Sequence, residues 1–325
     1  MSIHTQRELA SIERLNHVIV VVCPGQGSQT PGFLEPWIAD PSAKALLESL
    51  SDAAGVDLVK HGTVSDADTI RDTAIAQPLI VAAGILTLEA LSQTDHLAKV
   101  NGIAGHSVGE FTAAAGAGVL DATDAVRLVG IRGRAMAEAA ALVPTGMSAV
   151  IGGDEVEILA KLAALDLHPA NYNGGGQLVV AGELPALAKL AEEPPAGARV
   201  IPLQVAGAFH TSYMASAVST LRDAAAEVTA HDPRLTLWTN NDGSVVTAGH
   251  TFRDLLVGQV SSPVRWDLCM NSFAEAGVTG IIELAPAGAL VGLAKRGLKG
   301  VPTVAVKTPD DLAAARELID SAATH

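Results

Sequence analysis

The sequence predicts an α/β protein in two parts. A large subdomain carries a mainly parallel sheet flanked by helices and a nucleophile elbow, and a small ferredoxin-like α+β subdomain is inserted into it. Three observations predict this. Val18–Cys23 is continuously apolar, as a strand covered on both faces should be, and it runs into a glycine-rich loop, Pro24-Gly25-Gln26-Gly27-Ser28-Gln29. Gly105-His106-Ser107-Val108-Gly109-Glu110 joins an apolar run at 100–104 to a small-residue helical pattern at 111–120. From Gly146 to Val205 the rhythm becomes β-α-β-β-α-β, the ferredoxin-like order.

Each element has a local reason. Residues 43–54 and 77–91 place apolar side chains at helical spacing. Residues 100–104 form the second strand. A serine at the bend between strand and helix is the setting in which Gly-x-Ser-x-Gly marks a nucleophile. Its glycines are expected to allow the strained turn and to leave room beside Ser107. Asp121 reads as an N-cap with Asp124 in the first turn, opening a helix to about residue 141. Strands follow at 147–151, 168–172, 177–181 and 199–205, with helices at 155–165 and 184–191. Beyond them lie a helix at 212–229, a strand at 235–239 and a helix at 251–276 interrupted at Pro263. A strand at 278–284, a helix at 287–298, a strand at 301–306 and a helix at 310–322 complete the chain. Strands alternating with helices imply a mainly parallel sheet. The large subdomain is then 18–141 with 208–325, and the insertion is 142–207. Residues 1–17 read as an N-terminal arm or an appended remnant.

With 325 residues, 49% hydrophobic and 17% charged, the chain has the means to bury a substantial core. Alanine and glycine supply much of the apolar content, so close helix packing with few aromatic anchors is expected. A net charge of −14 argues against nucleic acid as a partner. No apolar run is expected to span a bilayer, and residues 1–17 lack a signal-peptide core. Cys23 and Cys269 read as buried free thiols in a reducing compartment, without zinc-ligand spacing. A cytoplasmic monomer is the expectation.

A serine nucleophile needs a base, usually histidine. His4, His17 and His325 sit at the chain ends, and His61, His96, His231 and His250 in polar contexts. His168 opens a strand, and His106 adjoins Ser107 and should point away from it. His210 follows the strand that closes the insertion, a natural place to line a cleft. A structural histidine at a strand end is the equal alternative. Arg132 is out of place. Ala125, Leu128, Val129, Met136 and Ala139 form one stripe of its helix, opposite Asp124, Arg127, Arg134 and Glu138, with Arg134 and Glu138 spaced to pair. Arg132 falls within the apolar stripe and must find an anion there. Periodicity alone favours a protein carboxylate over a ligand's. The loop from Gly25 to Gln29 lacks the endings of phosphate and dinucleotide loops, yet a strand-end loop still donates N–H groups to an oxyanion.

Taken in order, these motifs resemble the malonyl-CoA:acyl carrier protein transacylases, the acyltransferases of fatty-acid and polyketide synthesis. The resemblance runs from Val18 to about Val306. It rests on Pro24-Gly25-Gln26-Gly27-Ser28-Gln29, Gly105-His106-Ser107-Val108-Gly109-Glu110, Arg132, Ala208-Phe209-His210, Asn240-Asn241, and Gln259 before Pro263-Val264-Arg265-Trp266. It implies Ser107 as nucleophile, His210 as base, and the backbone N–H groups of Gln26 and Val108 as oxyanion hole. Arg132 would bind the malonyl carboxylate and Gln259 would orient His210. Asn173 and Asn241 would line the cleft, and Phe209 fits malonyl rather than a bulkier acyl group. Malonyl-CoA and phosphopantetheinylated acyl carrier protein would be the substrates, with no metal or bound cofactor. Because carrier proteins are acidic, a basic patch would help docking. Lys295, Arg296 and Lys299 cluster at the end of one helix, although their placement is better accounted for by the helix C-terminus they complement.

Two other readings compete. A serine hydrolase or thioesterase would need an acid between serine and histidine, with Asp154 or Asp166 in the insertion as candidates. It would leave Arg132 without a role. A catalytically silent carrier-protein-binding module would leave Ser107, His210 and Arg132 without one.

Overall fold

A computed structural model describes residues 17–321. The expected arm, apart from His17, lies outside the described residues, as do His4 and His325. The large sheet contains β1 (Val18–Cys23), β2 (Gly102–Gly105), β7 (Thr236–Trp238), β9 (Val278–Glu283) and β10 (Thr303–Ala305). Their order is β10-β9-β1-β2-β7, and every pairing is parallel. The apolar run of β1 is explained by its central place. Ile19, Val21 and Cys23 enter one core, and Val20 and Val22 enter the core on the opposite face.

The first core is built by helices α1 (Pro41–Ala54), α3 (Thr73–Ser92), α4 (Gly109–Ala117) and α5 (Ala122–Ala140), joined by α8 (Ala215–Ala226) and α9 (Gly249–Gly258). Small residues let α5 pack tightly, as the composition predicts. A Cβ at Gly130 would stand 2.6 Å from the Ala54 carbonyl oxygen, and one at Gly133 would stand 2.9 Å from that of Thr73. The second core holds the aromatic residues Trp238, Trp266 and Phe273, beneath α10 (Trp266–Glu275) and α11 (Ala289–Gly297). Helix α12 (Leu312–Ser321) closes the described chain.

The inserted sheet has strands β3 (Thr145–Gly152), β4 (His168–Gly174), β5 (Gln177–Glu183) and β6 (Ala198–Pro202), antiparallel where they pair with one another. Helices α6 (Glu155–Ala164) and α7 (Leu184–Glu192) complete the β-α-β-β-α-β order and cover a third core. One strand is unexpected. β8 (Val264–Arg265) pairs in parallel with β4, giving the order β6-β3-β5-β4-β8 and tying the insertion to the large part.

Several other expectations need correction. A short helix, α2 (Leu58–Thr63), was not legible as apolar periodicity. β6 ends at Pro202 rather than 205, and Leu203 and Val205 instead line the main cavity. Asp121 takes the N-cap position, but its side chain makes no cap bond. Arg134 donates to the Ala54 carbonyl at 2.8 Å rather than pairing with Glu138, while Asp124 and Arg127 pair at 3.2 Å. One apolar stretch does reach membrane-spanning length. Helix α3 is long and apolar enough to cross a bilayer, but 78% of its apolar stretch is buried in the protein, so it is a central core helix of the fold.

The elbow glycines act differently from the expectation. The left-handed residue is Ser107 itself, at φ 53°. Gly105 and Gly109 are needed for close approach. A Cβ on Gly105 would collide with the backbone of Gly109 and Glu110, and one on Gly109 would collide with the Cys23 carbonyl. Strand β1, strand β2 and the start of α4 are therefore wedged together without side chains between them. Gly109→Ala is expected to destabilise the fold by about 3 kcal/mol, the upper end for overpacking, because backbone rather than a flexible side chain must move. Urea unfolding of the purified variant measures this; an unchanged midpoint would refute the wedge.

Candidate active site

A cavity of about 480 Å³ opens where β1, β2 and β9 end, with the inserted sheet as its far wall. This is where parallel α/β sheets place ligands. Gln26, His106, Ser107, Val108, Arg132, Asn173, Phe209 and His210 all line it. The sequence reading thus assembles at one place, with one exception, Asn241, described below.

Ser107 Oγ lies 2.7 Å from His210 Nε2. Both residues adopt left-handed backbone, at φ 53° and φ 61°. Such conformations cost on the order of 1 kcal/mol each and persist only where the surroundings enforce them. Asn240 enforces the first. Its Oδ1 accepts from the Ser107 N–H at 2.7 Å, and its Nδ2 donates to the Gly105 carbonyl at 2.7 Å. His210 Nδ1 lies 2.8 Å from the main-chain oxygen of Gln259, which fixes the proton on Nδ1 and leaves Nε2 as acceptor. That carbonyl also accepts from the Ser262 N–H at 3.3 Å, and the local sequence explains why it has no further main-chain donor and keeps a lone pair for the imidazole. In a continuing helix it would accept from residue 263, which is proline and has no N–H. The residue before the proline, Ser262, is extended (φ −121°, ψ 147°), as this position prefers.

Burial, reinforced by the Arg132 charge, pushes the His210 pKa down to about 3. The imidazole is therefore neutral and available as a base. His106 is no competitor for that role. Its Nε2 sits 2.9 Å from Asn173 Oδ1 on β4, and its ring packs edge-on against Trp266. Among the described residues, the N–H groups of Gln26 and Val108 donate to no protein acceptor, and both residues border the cavity beside Ser107. The Gln26 side chain is held away by the Arg71 carbonyl at 3.2 Å.

Arg132 is 1% exposed, and its partners overturn the preference for a structural ion pair. Its guanidinium donates to two neutral amides, Gln77 Oε1 at 2.6 Å and Gln259 Oε1 at 2.8 Å. Its Nε has no partner, and among the described residues no carboxylate forms a salt bridge with it. The Phe111 ring lies 5.9 Å away. Burial lowers the Arg132 pKa to about 10, with Glu110 opposing the shift, so the side chain keeps its charge. A buried cation facing a cavity with only amide partners is a site for an anion.

Gln259 orients His210 as expected, but by an unexpected route, and Asn241 departs from the expectation. Gln259 meets His210 through its main chain, while its side chain reaches Arg132, the Ser107 carbonyl at 3.0 Å and Glu110. Asn241 is exposed and does not border the cavity; its neighbour Asn240, fully buried, does the bracing. Gln77 and Glu110 were not singled out from sequence. A glutamine within the otherwise apolar stretch 74–86, buried to 2% exposure, was the available signal for the first. Lys295 and Arg296 occupy the last turn of α11, as a helix C-terminus favours, and Arg296 also borders the cavity mouth.

Residues 20–313 match the acyl transferase domain, and the chain belongs to that family. More particularly, it is 53% identical to the malonyl CoA-acyl carrier protein transacylase of Mycobacterium tuberculosis over 91% of this chain and 98% of that one. It is 35% identical to the protein of the same name from Escherichia coli K12, covering 91% and 98%. The crystal structure of the Mycobacterium tuberculosis protein superposes with a TM-score of 0.90, at 52% identity over 93% of this chain and all of that one. A malonyl-transacylase solved in complex with its type II PKS acyl-carrier protein superposes at 0.86, with 30% identity over 92% and 99%.

The electrostatics carry a direct expectation. The His210 ring resonances should not titrate between about pH 5 and pH 8, because the charged form is disfavoured well below the ordinary histidine range. NMR of histidine-labelled protein reads this, and a titration of His210 centred near 6.5 would contradict the neutral-base geometry.

Proposed function

We propose that this chain is an S-malonyltransferase. It moves the malonyl group from malonyl-CoA to the phosphopantetheine thiol of acyl carrier protein through a malonyl-Ser107 intermediate. The observation that carries the reading is the buried guanidinium of Arg132, held by neutral amides and open to the cavity that contains Ser107 and His210. The identity to transacylases of that name supports it.

Ser107 Oγ attacks the thioester carbonyl as its proton passes to His210 Nε2. The carbonyl oxygen becomes an oxyanion between the Val108 and Gln26 N–H groups, each donor contributing roughly 3 kcal/mol of transition-state stabilisation. The intermediate collapses, the C–S bond breaks, and coenzyme A leaves with the proton from His210. In the second half, the carrier thiol gives its proton to His210 and attacks the malonyl-serine ester. Ser107 leaves and recovers its proton. Thioester replaces thioester, so the reaction is close to balanced and needs no metal, nucleotide or bound cofactor. Arg132 grips the free carboxylate, which acetyl-CoA lacks, and Phe209 limits the space beside it. The main-chain oxygen of Gln259 takes the place that an acid holds in a hydrolase triad.

The product serves fatty-acid synthesis, and the PKS carrier protein bound by one structural relative supports service to polyketide synthesis as well. The enzyme acts in the cytoplasm as a monomer. Its two cysteines, buried and free, fit a reducing compartment.

The expected outcome on mixing with malonyl-CoA and quenching in acid is a malonyl adduct mapped to Ser107 by intact-mass and peptide analysis. Holo acyl carrier protein should discharge it, and Ser107→Ala should abolish it. Rapid release of coenzyme A with neither adduct nor transfer would identify a hydrolase instead.

A further inference from the structure

Glu110 is a carboxylate in the first turn of α4, 1% exposed, that touches no reacting atom in the mechanism above. Its two oxygens serve different partners. Oε1 accepts from the Asn240 N–H at 2.7 Å, and Oε2 accepts from Gln259 Nε2. The Gln259 amide is therefore committed at both ends. Its nitrogen also donates to the Ser107 carbonyl at 3.0 Å, and its oxygen accepts from Arg132 at 2.8 Å.

Burial raises the Glu110 pKa to about 7, so above that pH it is a carboxylate, which only accepts hydrogen bonds, whereas a guanidinium only donates them. An amide placed between the two has one satisfied orientation. The nitrogen must face Glu110 and the oxygen must face Arg132. Turned over, the amide would set donor against donor at the guanidinium and acceptor against two acceptors at α4. In a buried site both mismatches are costly.

We propose that Glu110 is a specificity-determining positioning residue: by fixing the orientation of the Gln259 amide, it holds Arg132 in the pose that receives the carboxylate of the acyl group. The proposal rests on the malonyl-transfer reading. Glu110 acts at a distance, through one amide, and supplies negative charge near Arg132 without occupying its open face.

Glu110→Gln tests this, because it preserves shape while adding a donor. The new amide can still accept from the Asn240 N–H with its oxygen, and must then point its NH₂ at Gln259, which turns over. At about pH 8, the KM for malonyl-CoA should rise at least about tenfold, the scale of one lost hydrogen bond to a charged group. The preference for malonyl-CoA over acetyl-CoA should fall by a similar factor, and kcat should fall less. A merely structural residue would lower the melting temperature and leave that preference intact, and this result would overturn the proposal. A second variant guards against a fold that fails. Glu110→Gln combined with Gln259→Glu restores donor to acceptor between the pair but gives Arg132 a carboxylate from the protein. It should recover thermal stability and still lack the malonyl preference. A stable double variant with the wild-type preference would also overturn the proposal. Failure of the underlying transfer reading shows separately, as absence of a malonyl adduct on the unsubstituted enzyme.

Discussion

A guanidinium buried without an anion sets the terms for this cavity. Arg132 stands on a helix whose neighbours approach at backbone distance through Gly130 and Gly133, and the residue is 1% exposed. Two glutamine oxygens, from Gln77 on α3 and Gln259 at the end of α9, soften the cost of burial without neutralising the charge. The partner it lacks must come through the cavity, and on the proposed function an acyl group with a free carboxylate would supply it. Charge selection would then be a consequence of core packing.

The reacting pair depends on a second constraint, backbone held in unfavourable conformations. Ser107 and His210 are both left-handed. Strain at such positions is useful because the groups are placed before substrate arrives, and little reorganisation is left for the reaction. Asn240 bridges the two sides of the elbow, and Pro263, which has no N–H, leaves the Gln259 carbonyl a lone pair that orients the histidine. Gln259 belongs to both constraints. Its main chain serves the base and its side chain serves the cation, so the chemistry and the selectivity share one residue.

Much of this was legible in the sequence, for identifiable reasons. Val18–Cys23 announced a central strand because both faces of it are buried, and every side chain is apolar. The elbow was legible because strand, bend and helix are adjacent in sequence. Arg132 stood out because a charge broke a helical stripe. What escaped was long-range or carried by the main chain. The role of Gln259 as an acceptor for His210 belongs to its carbonyl, which any residue has, and only the proline four positions on hinted at it. Between Asn240 and Asn241, alternation at the end of a three-residue strand was too short to decide which side chain faces inward. β8 contains two residues, below the length at which periodicity speaks. Glu110 follows the elbow directly, but its partners lie more than a hundred residues away in sequence.

The central claim is that the missing partner of Arg132 is the carboxylate of the substrate. Its most direct test compares acylation of Ser107 by malonyl-CoA and acetyl-CoA in the unsubstituted enzyme and in Arg132→Ala, with kcat/KM for each donor as the readout. The expected result is a loss of malonyl preference of about a hundredfold or more, since a site built to bind a polar group discriminates strongly and its removal leaves a carboxylate buried unpaired. An Arg132→Ala enzyme that folds and still prefers malonyl-CoA to the original degree would contradict the account.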